Sequence, residues 1–364
     1  MTRELLPLVL KIKIAFLFLK ISFTRISKLS DLVHVYQSAF SQLKKAKNFL
    51  FLKKVFYTGG KYYWSLYLPG FPSKSFEYVL NLAISKGLNP SNRNPSVLII
   101  AITKKCGLNC EHCFEWDEIN KKDKFTEELI NKKIGEYLSN EYFGQIFFSG
   151  GEPLNRYALL LSLVKKFGSK CECWVISSGT SFDHHKAVEL KQAGLTGMMI
   201  SLDSYTAEQH DTFRGFAGSY GNALKALENA KKVGLLTALS LCPTKDRLSR
   251  HFLDEYMFLA KQLNISFIQI IEPRPEGKFK GKDVVLERNQ LQILERFYIE
   301  YNNLKKLRDF PLLQYPDYSK RLTGCRAMDW YVYIDTNGDL YPCPFCKQKN
   351  QQCFNISTKT ALII

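Results

Sequence analysis

The 364-residue chain is 46% hydrophobic, 13% aromatic and 23% charged, which excludes disordered, collagen-like and low-complexity proteins and leaves room for one barrel-sized domain with extensions. Its ten cysteines are too sparse for a disulfide-stapled secreted scaffold and point to metal ligands or core thiols in a reducing cytoplasm. The net charge of +17 is unevenly placed: in residues 1–62 twelve Lys and Arg face only Glu4 and Asp31, a local excess of +10, so this is a basic leader on a near-neutral body, and no nucleic-acid partner is expected.

The leader opens with Leu5 to Leu19, LLPLVLKIKIAFLFL. Lys11 and Lys13 interrupt the apolar run, which argues against a spanning helix of about 20 residues and against the unbroken core of a signal peptide. On a helical wheel Lys13 and Lys20 fall together while Lys11 lies nearly opposite, so no single polar face forms. The expectation is a basic, apolar segment that docks on the body or makes peripheral contact with a membrane. Residues 43–66 interleave Lys with Phe, Tyr and Trp. That mixture suits single-stranded nucleic acid, but a strand pair turning at Gly59-Gly60, with its aromatic face on the core, is the preferred reading. The breakers LPGFPS (68–73) and LNPSNRNPS (88–96) place a boundary near residue 95 and mark 1–95 as an N-terminal extension.

From there one unit repeats. The runs 97–103, 145–149, 173–177, 197–201, 236–241 and 266–271 are short, β-branched or aromatic, and read as buried parallel strands. Between them 126–139, 156–168, 185–193, 220–233 and 250–263 carry helical spacing with charged outer faces. Six strands alternating with helices predict an α/β fold, a partial (β/α)6 TIM-like barrel over 96–310. Chemistry in such folds sits at the C-terminal strand ends, which here read ITKKC, SGGEP, SSGT, SLDS, SLCPTK and IEPRPEG.

After the first strand comes Cys106-Gly-Leu-Asn-Cys110-Glu-His-Cys113. Three thiolates do not close a tetrahedral zinc site, but they hold three irons of a [4Fe–4S] cluster and leave the fourth open to a ligand. Zinc with His112 as fourth ligand is the competing assignment, disfavoured because His112 adjoins Cys113 on a tight loop.

CGLNCEHC after the first strand, followed by SGGEP after the second, resembles the radical S-adenosylmethionine (SAM) superfamily over roughly residues 96–275. The resemblance implies a [4Fe–4S] cluster on Cys106, Cys110 and Cys113, with SAM chelating the open iron through its amino and carboxylate groups. It further implies reductive cleavage of SAM to a 5′-deoxyadenosyl radical that abstracts hydrogen from substrate. Gly150, Gly151 and Glu152 then meet the SAM ammonium, and His112 stands beside the adenine. Ser177 and Ser178 stand where relatives often read Asn-Gly, so a hydroxyl takes over a ribose or carboxylate contact. Asp203, in SLDS, and Arg214, in HDTFRG, match peptide-modifying relatives; the resemblance puts Asp203 on the ribose and Arg214 on the methionine carboxylate, with a helix cap or a surface ion pair as the alternative for each. Glu272 and Arg274 sit at the pocket mouth, as SAM or substrate contacts or as a structural salt bridge.

Residues 311–364 form a cysteine-rich tail. TNGD between YVYI and LYPC is a hairpin signal that brings Cys325 towards Cys343. With Cys346 and Cys353 they suit one more cluster or a zinc site. The spacing from Cys325 through Gly338 to Cys343 resembles the start of SPASM and Twitch auxiliary-cluster domains, in shortened form because the full seven-cysteine pattern has no room in the eleven residues after Cys353. A second [4Fe–4S] cluster is the expectation, with zinc the alternative. Cys171, Cys173 and Cys242 read as core thiols. The expected protein is a radical SAM oxidoreductase or peptide maturase, supplied by a flavodoxin- or ferredoxin-type electron donor and acting on an unidentified, peptidyl substrate. The alternative is a non-catalytic iron–sulfur or zinc protein that binds or senses.

Overall fold

The computed structural model describes residues 2–5, 7–25, 54–89, 91–138 and 142–346. Near the N-terminus β1 (Thr2–Leu5), β2 (Lys54–Thr58) and β3 (Lys61–Tyr63) form a small antiparallel sheet, with the expected turn at Gly59-Gly60. The main sheet then follows. β4 (Val97–Ala101), β5 (Gln145–Ser149), β6 (Glu172–Ser177), β7 (Leu195–Ser201), β8 (Leu236–Leu241) and β9 (Phe267–Ile270) lie side by side, each parallel to the one before. These are the six strands read from the sequence, with ends moved by one or two residues.

Two further parallel strands widen the row. β10 (Leu312–Gln314) joins β9, and β11 (Tyr331–Ile334) joins the other edge at β4, with β12 (Leu340–Tyr341) folded back antiparallel across the TNGD turn. The sheet order is β10-β9-β8-β7-β6-β5-β4-β11-β12, so among the described residues the ends do not meet and the sheet stays open. Strands β10 to β12, all from the cysteine-rich tail region, are thus members of the main sheet.

The two-residue period of the strands explains what each face meets. Leu98 and Ile100, Ile146 and Phe148, Cys173 and Val175, and Met198 and Ile200 point to one face, where the helices Tyr157–Phe167, Ser219–Lys232 and Arg250–Gln262 cover them in one continuous core. Ser249 caps the last of these by accepting from the Phe252 amide at 3.1 Å, as an Ncap serine does. Along the opposite face, Val97, Phe147, Trp174, Met199, Ala238 and Phe267 pack with Phe56, Tyr63 and Leu66 of the N-terminal extension. The extension plugs this face at the N-terminal strand ends, where its rings Phe56 and Tyr63 are core, while Tyr57 stays exposed. Polar seams fix the plug: Gln145 Nε2 donates to the Leu66 carbonyl at 3.1 Å, and the Glu172 carboxylate accepts from the Gly70 amide at 2.9 Å. Two residues further along each strand, Ile99, Ser149, Ile176, Ser201, Ser240 and Gln269 continue the same face and line a cavity, which the extension also reaches through Tyr67, whose hydroxyl donates to Gln269 Oε1 at 2.6 Å.

Candidate active site

Cys106, Cys110 and Cys113 border that cavity, on a loop whose backbone is fixed from three sides. At its start the Cys106 amide donates to Asn120 Oδ1 at 2.9 Å, and Asp123 accepts from the Thr103 hydroxyl at 2.7 Å and the Lys104 amide at 2.6 Å. In its middle the Asn109 and Glu111 amides donate to the Arg214 and Phe213 carbonyls at 3.1 and 2.9 Å. At its end the Cys113 carbonyl accepts from the Lys278 amide at 3.0 Å. Burial pushes the Cys106 thiol up to about 11 and the Cys113 thiol up to about 12. Among the described residues no three His, Cys, Asp or Glu side chains converge on a single-ion site.

The SGGEP turn locks onto this loop. The Gly151 amide donates to the Thr103 carbonyl and the Glu152 amide to the Lys105 carbonyl, both at 2.8 Å. Gly150 has φ +141, and a Cβ on it would lie 2.4 Å from the Thr103 carbonyl oxygen; on Gly151 it would lie 2.5 Å from that of Lys105. The close approach that these glycines permit is therefore first of all that of the cysteine loop. Glu152 is 3% exposed and its carboxylate is fully engaged, accepting from the Ser177 hydroxyl at 2.7 Å, the Ser178 amide at 2.8 Å and hydroxyl at 2.6 Å, and the Leu154 amide at 3.2 Å. Burial raises its carboxyl above the ordinary range, against those donors. Ser177 and Ser178 thus line the cavity with their hydroxyls turned to Glu152.

His112 stacks on Phe213 with centroids 4.7 Å apart and planes 10° from parallel, and the Arg247 guanidinium covers the other side of Phe213 at 4.2 Å. Burial pulls His112 down to about 4, and its Nδ1 is buried with no hydrogen-bond partner. Arg214 reaches the cavity from the end of the helix Ala207–Arg214, pairs with Asp203 at 2.5 Å, and donates to Cys110 Sγ at 3.6 Å. Asp203 lies behind Arg214, where it also accepts from the Cys242 amide at 3.0 Å and donates its own amide to His210 Nδ1 at 3.1 Å. Burial alone would raise Asp203, but the Arg214 guanidinium, His112, His210 and the Cys242 amide together outweigh it and the carboxyl falls below its usual range. Asp203 and Arg214 thus form a buried ion pair, not a surface one, whose guanidinium reaches a cysteine of the loop.

The radical SAM superfamily profile matches residues 100–244, the span that carries this loop, the glycine turn, the serines and the Asp203–Arg214 pair. Residues 100–244 are a radical SAM domain. The chain is 31% identical over 211 residues to Fe-coproporphyrin III synthase of Methanosarcina barkeri, covering 55% of this chain and 51% of that protein. It is 28% identical to Mycofactocin maturase MftC of Mycobacterium ulcerans, covering 69% of each. The fold matches Streptococcus suis SuiB, solved bound to S-adenosylmethionine, with a TM-score of 0.58 at 17% identity, covering 77% of this chain and 68% of that one. The chain spans about half the length of the first curated relatives it matches.

Beyond the radical SAM domain the cavity is walled by residues that the sequence pattern did not single out. Pro344 and Phe345 line it, and Phe345 packs between Phe114, at 5.4 Å, and the Arg274 guanidinium, at 5.4 Å. Glu272 and Arg274 line the mouth and are both ion-paired, Arg274 with Asp317 and Glu272 with Arg321 at 2.6 Å; Tyr315 also donates to Glu272. The helix Pro316–Thr323 is thereby tied to the end of β9. Cys325 and Cys343 are free thiols near one another, and burial followed by these two thiolates pushes the Tyr331 hydroxyl far up. Neither lines the cavity. Cys346 is buried and disulfide-bonded, so as it stands it offers no thiolate, and Cys353 lies outside the described residues. Cys171, Cys173 and Cys242 are buried free thiols, as expected of core residues.

The residues present fit a cluster with SAM on it. Three free thiols, an arginine on one of them and an unpartnered buried imidazole nitrogen meet in one cavity at the C-terminal strand ends.

Proposed function

We propose that this chain is a radical SAM enzyme, with Cys106, Cys110 and Cys113 holding a [4Fe–4S] cluster. When bound and reduced, such a cluster supplies the electron that cleaves SAM to methionine and a 5′-deoxyadenosyl radical, which takes hydrogen from substrate. The chain's own residues bind and orient. Arg214, held by Asp203, places a fixed positive charge beside Cys110 Sγ. His112 offers Nδ1 as an acceptor, and its low proton affinity keeps it neutral at physiological pH, as recognition of a neutral amino group requires. Glu152, held by Ser177 and Ser178, would offer a carboxylate beside the cluster loop to the SAM ammonium. The plug of Phe56, Tyr63 and Leu66 closes the far end of the sheet face to water, while Phe345 narrows the mouth.

The open sheet is read as this chain's partial (β/α)6 TIM-like barrel, with 96–310 the barrel, 1–95 the plugging extension and 311–364 the SPASM/Twitch-like wall carrying a second [4Fe–4S] cluster. An external one-electron donor of flavodoxin or ferredoxin type supplies the reductant. A peptidyl substrate is drawn from the likeness to Mycofactocin maturase MftC and PqqA peptide cyclase, which span 69% and 68% of this chain.

The observation that carries the reading is the meeting of the CGLNCEHC loop and the SGGEP turn, backbone to backbone, at one cavity. Anaerobic reconstitution with iron and sulfide, then dithionite and SAM, is expected to yield 5′-deoxyadenosine by chromatography, and Cys110→Ala to abolish it. Full iron loading without SAM cleavage would instead support a non-catalytic iron–sulfur protein.

A further inference from the structure

The helix Leu8–Arg25 has two apolar faces, which is why its lysines define no single polar side. One face is docked: Leu10 packs with Val55, Phe71 and Phe76, and Ile21 with Ile84 on the helix Lys74–Leu88. The other faces outward. Val9, Ile12, Phe16, Leu19 and Phe23, spaced by three and four residues, form one stripe. They are 62, 59, 70, 45 and 72% exposed, although a soluble surface normally keeps large apolar side chains scattered. At 100° per residue Lys13 and Lys20 fall along one border of that stripe.

We propose that this stripe seats the protein on an anionic lipid bilayer, the helix lying in the headgroup layer with its phenylalanines towards the acyl chains. The charges choose the occupant. The helix carries Lys11, Lys13, Lys20 and Arg25 and no acidic residue, within a segment whose local excess is +10. A second copy would bring the same positive rim against itself, whereas anionic headgroups complement it and accept the lysine ammonium groups while their stems lie along the apolar stripe. No helix among the described residues is long and apolar enough to cross a membrane, so the contact is interfacial. The docked face makes the helix a fixed platform: binding does not require it to leave the body, and the cavity at the C-terminal strand ends stays attached to the surface.

Co-sedimentation of the full-length chain with vesicles tests this, and because it needs neither cluster nor SAM it succeeds or fails independently of the proposed activity. Vesicles of phosphatidylcholine with phosphatidylglycerol are expected to bind the protein, and more weakly as salt rises. Phe16→Ser/Phe23→Ser should weaken that binding at least about tenfold, since each ring removes apolar area from the contact. Its thermal unfolding midpoint should not fall, because both rings are exposed. Lys13→Glu/Lys20→Glu should erase the preference for phosphatidylglycerol over pure phosphatidylcholine. Equal partition of the wild type and the double-serine variant on anionic vesicles would overturn the proposal, as would a wild-type dimer that the double-serine variant dissolves without change in vesicle binding.

Discussion

Gly151 shows what a motif residue is for when its neighbours are counted. The sequence marks it as a place where backbone meets a ligand, and the structure fills that space with the Lys105 carbonyl, whose oxygen and carbon would lie 2.5 and 2.8 Å from an added Cβ. Neither atom can swing aside, since both belong to the chain that positions Cys106 and since the Lys105 carbonyl already accepts the Glu152 amide. Gly151→Ala is therefore expected to destabilise the apoprotein by about 1–3 kcal/mol, the usual cost of overpacking, and to lower the iron retained after reconstitution. Gly221→Ala is the control, with nothing within 4 Å of its added Cβ. Urea unfolding of both variants, with iron assayed in parallel, checks this; equal midpoints for the two would show that the loop yields. Arg214 carries the same lesson for charge. Its match to a family pattern marks it as functional, but only the fold shows that Asp203 aims it at Cys110.

Strands were the legible elements. Each of β4 to β9 is short, rich in β-branched or aromatic residues and ends in small polar groups, signals that lie within the segment itself. What stayed hidden depends on distant partners. The TNGD hairpin announces β11 and β12, but not that β11 pairs with β4 across more than two hundred residues of chain, and β10, three residues long, leaves no signal of its own. The helices Ala207–Arg214 and Pro316–Thr323 are a bare two turns each, and the Leu8–Arg25 helix defeats a one-face test by having two. The site divides the same way. The three thiols and the glycine turn are spacing patterns, whereas Asp317 and Arg321 reach the mouth because β10 pairs with β9 and sets their helix there, and Phe345 because β11 and β12 bring the tail back to the sheet. That return also places Cys325 and Cys343 together near Tyr331. If the tail holds a second cluster, the reconstituted chain should carry about eight irons. Cys325→Ser/Cys343→Ser should then bring it to about four while 5′-deoxyadenosine is still formed. Four irons in the unaltered chain would remove the second cluster and leave the first in place.

At the scale of the whole molecule, the N-terminal extension and the stretch from the end of the helix Arg288–Asn303 to β10 are joined by one buried ammonium group. Lys54, at the start of β2, is 2% exposed, and its Nζ donates to the carbonyls of Tyr301, Leu307 and Pro311 at 3.1, 3.0 and 3.1 Å. Three acceptors suit an ammonium, but burial, with the Arg3 guanidinium nearby, outweighs them and pulls its pKa down to about 7. An unfolded lysine titrates near 10.4. Between those values the unfolded chain binds more protons at this position than the folded one, so folding stability rises with pH, by at most about 1.4 kcal/mol per unit. Below the folded value both states are protonated, and the lysine contributes no slope. Lys54→Met removes the titrating group and keeps an unbranched side chain in the plug. The difference in unfolding free energy, wild type minus variant, is expected to be flat below pH 7 and to grow from pH 7 towards pH 10, read from urea midpoints across that range. A difference that stays constant or shrinks over the same interval would mean that the three carbonyls keep Lys54 charged, and that the extension is held to the body by an ion that burial does not strain.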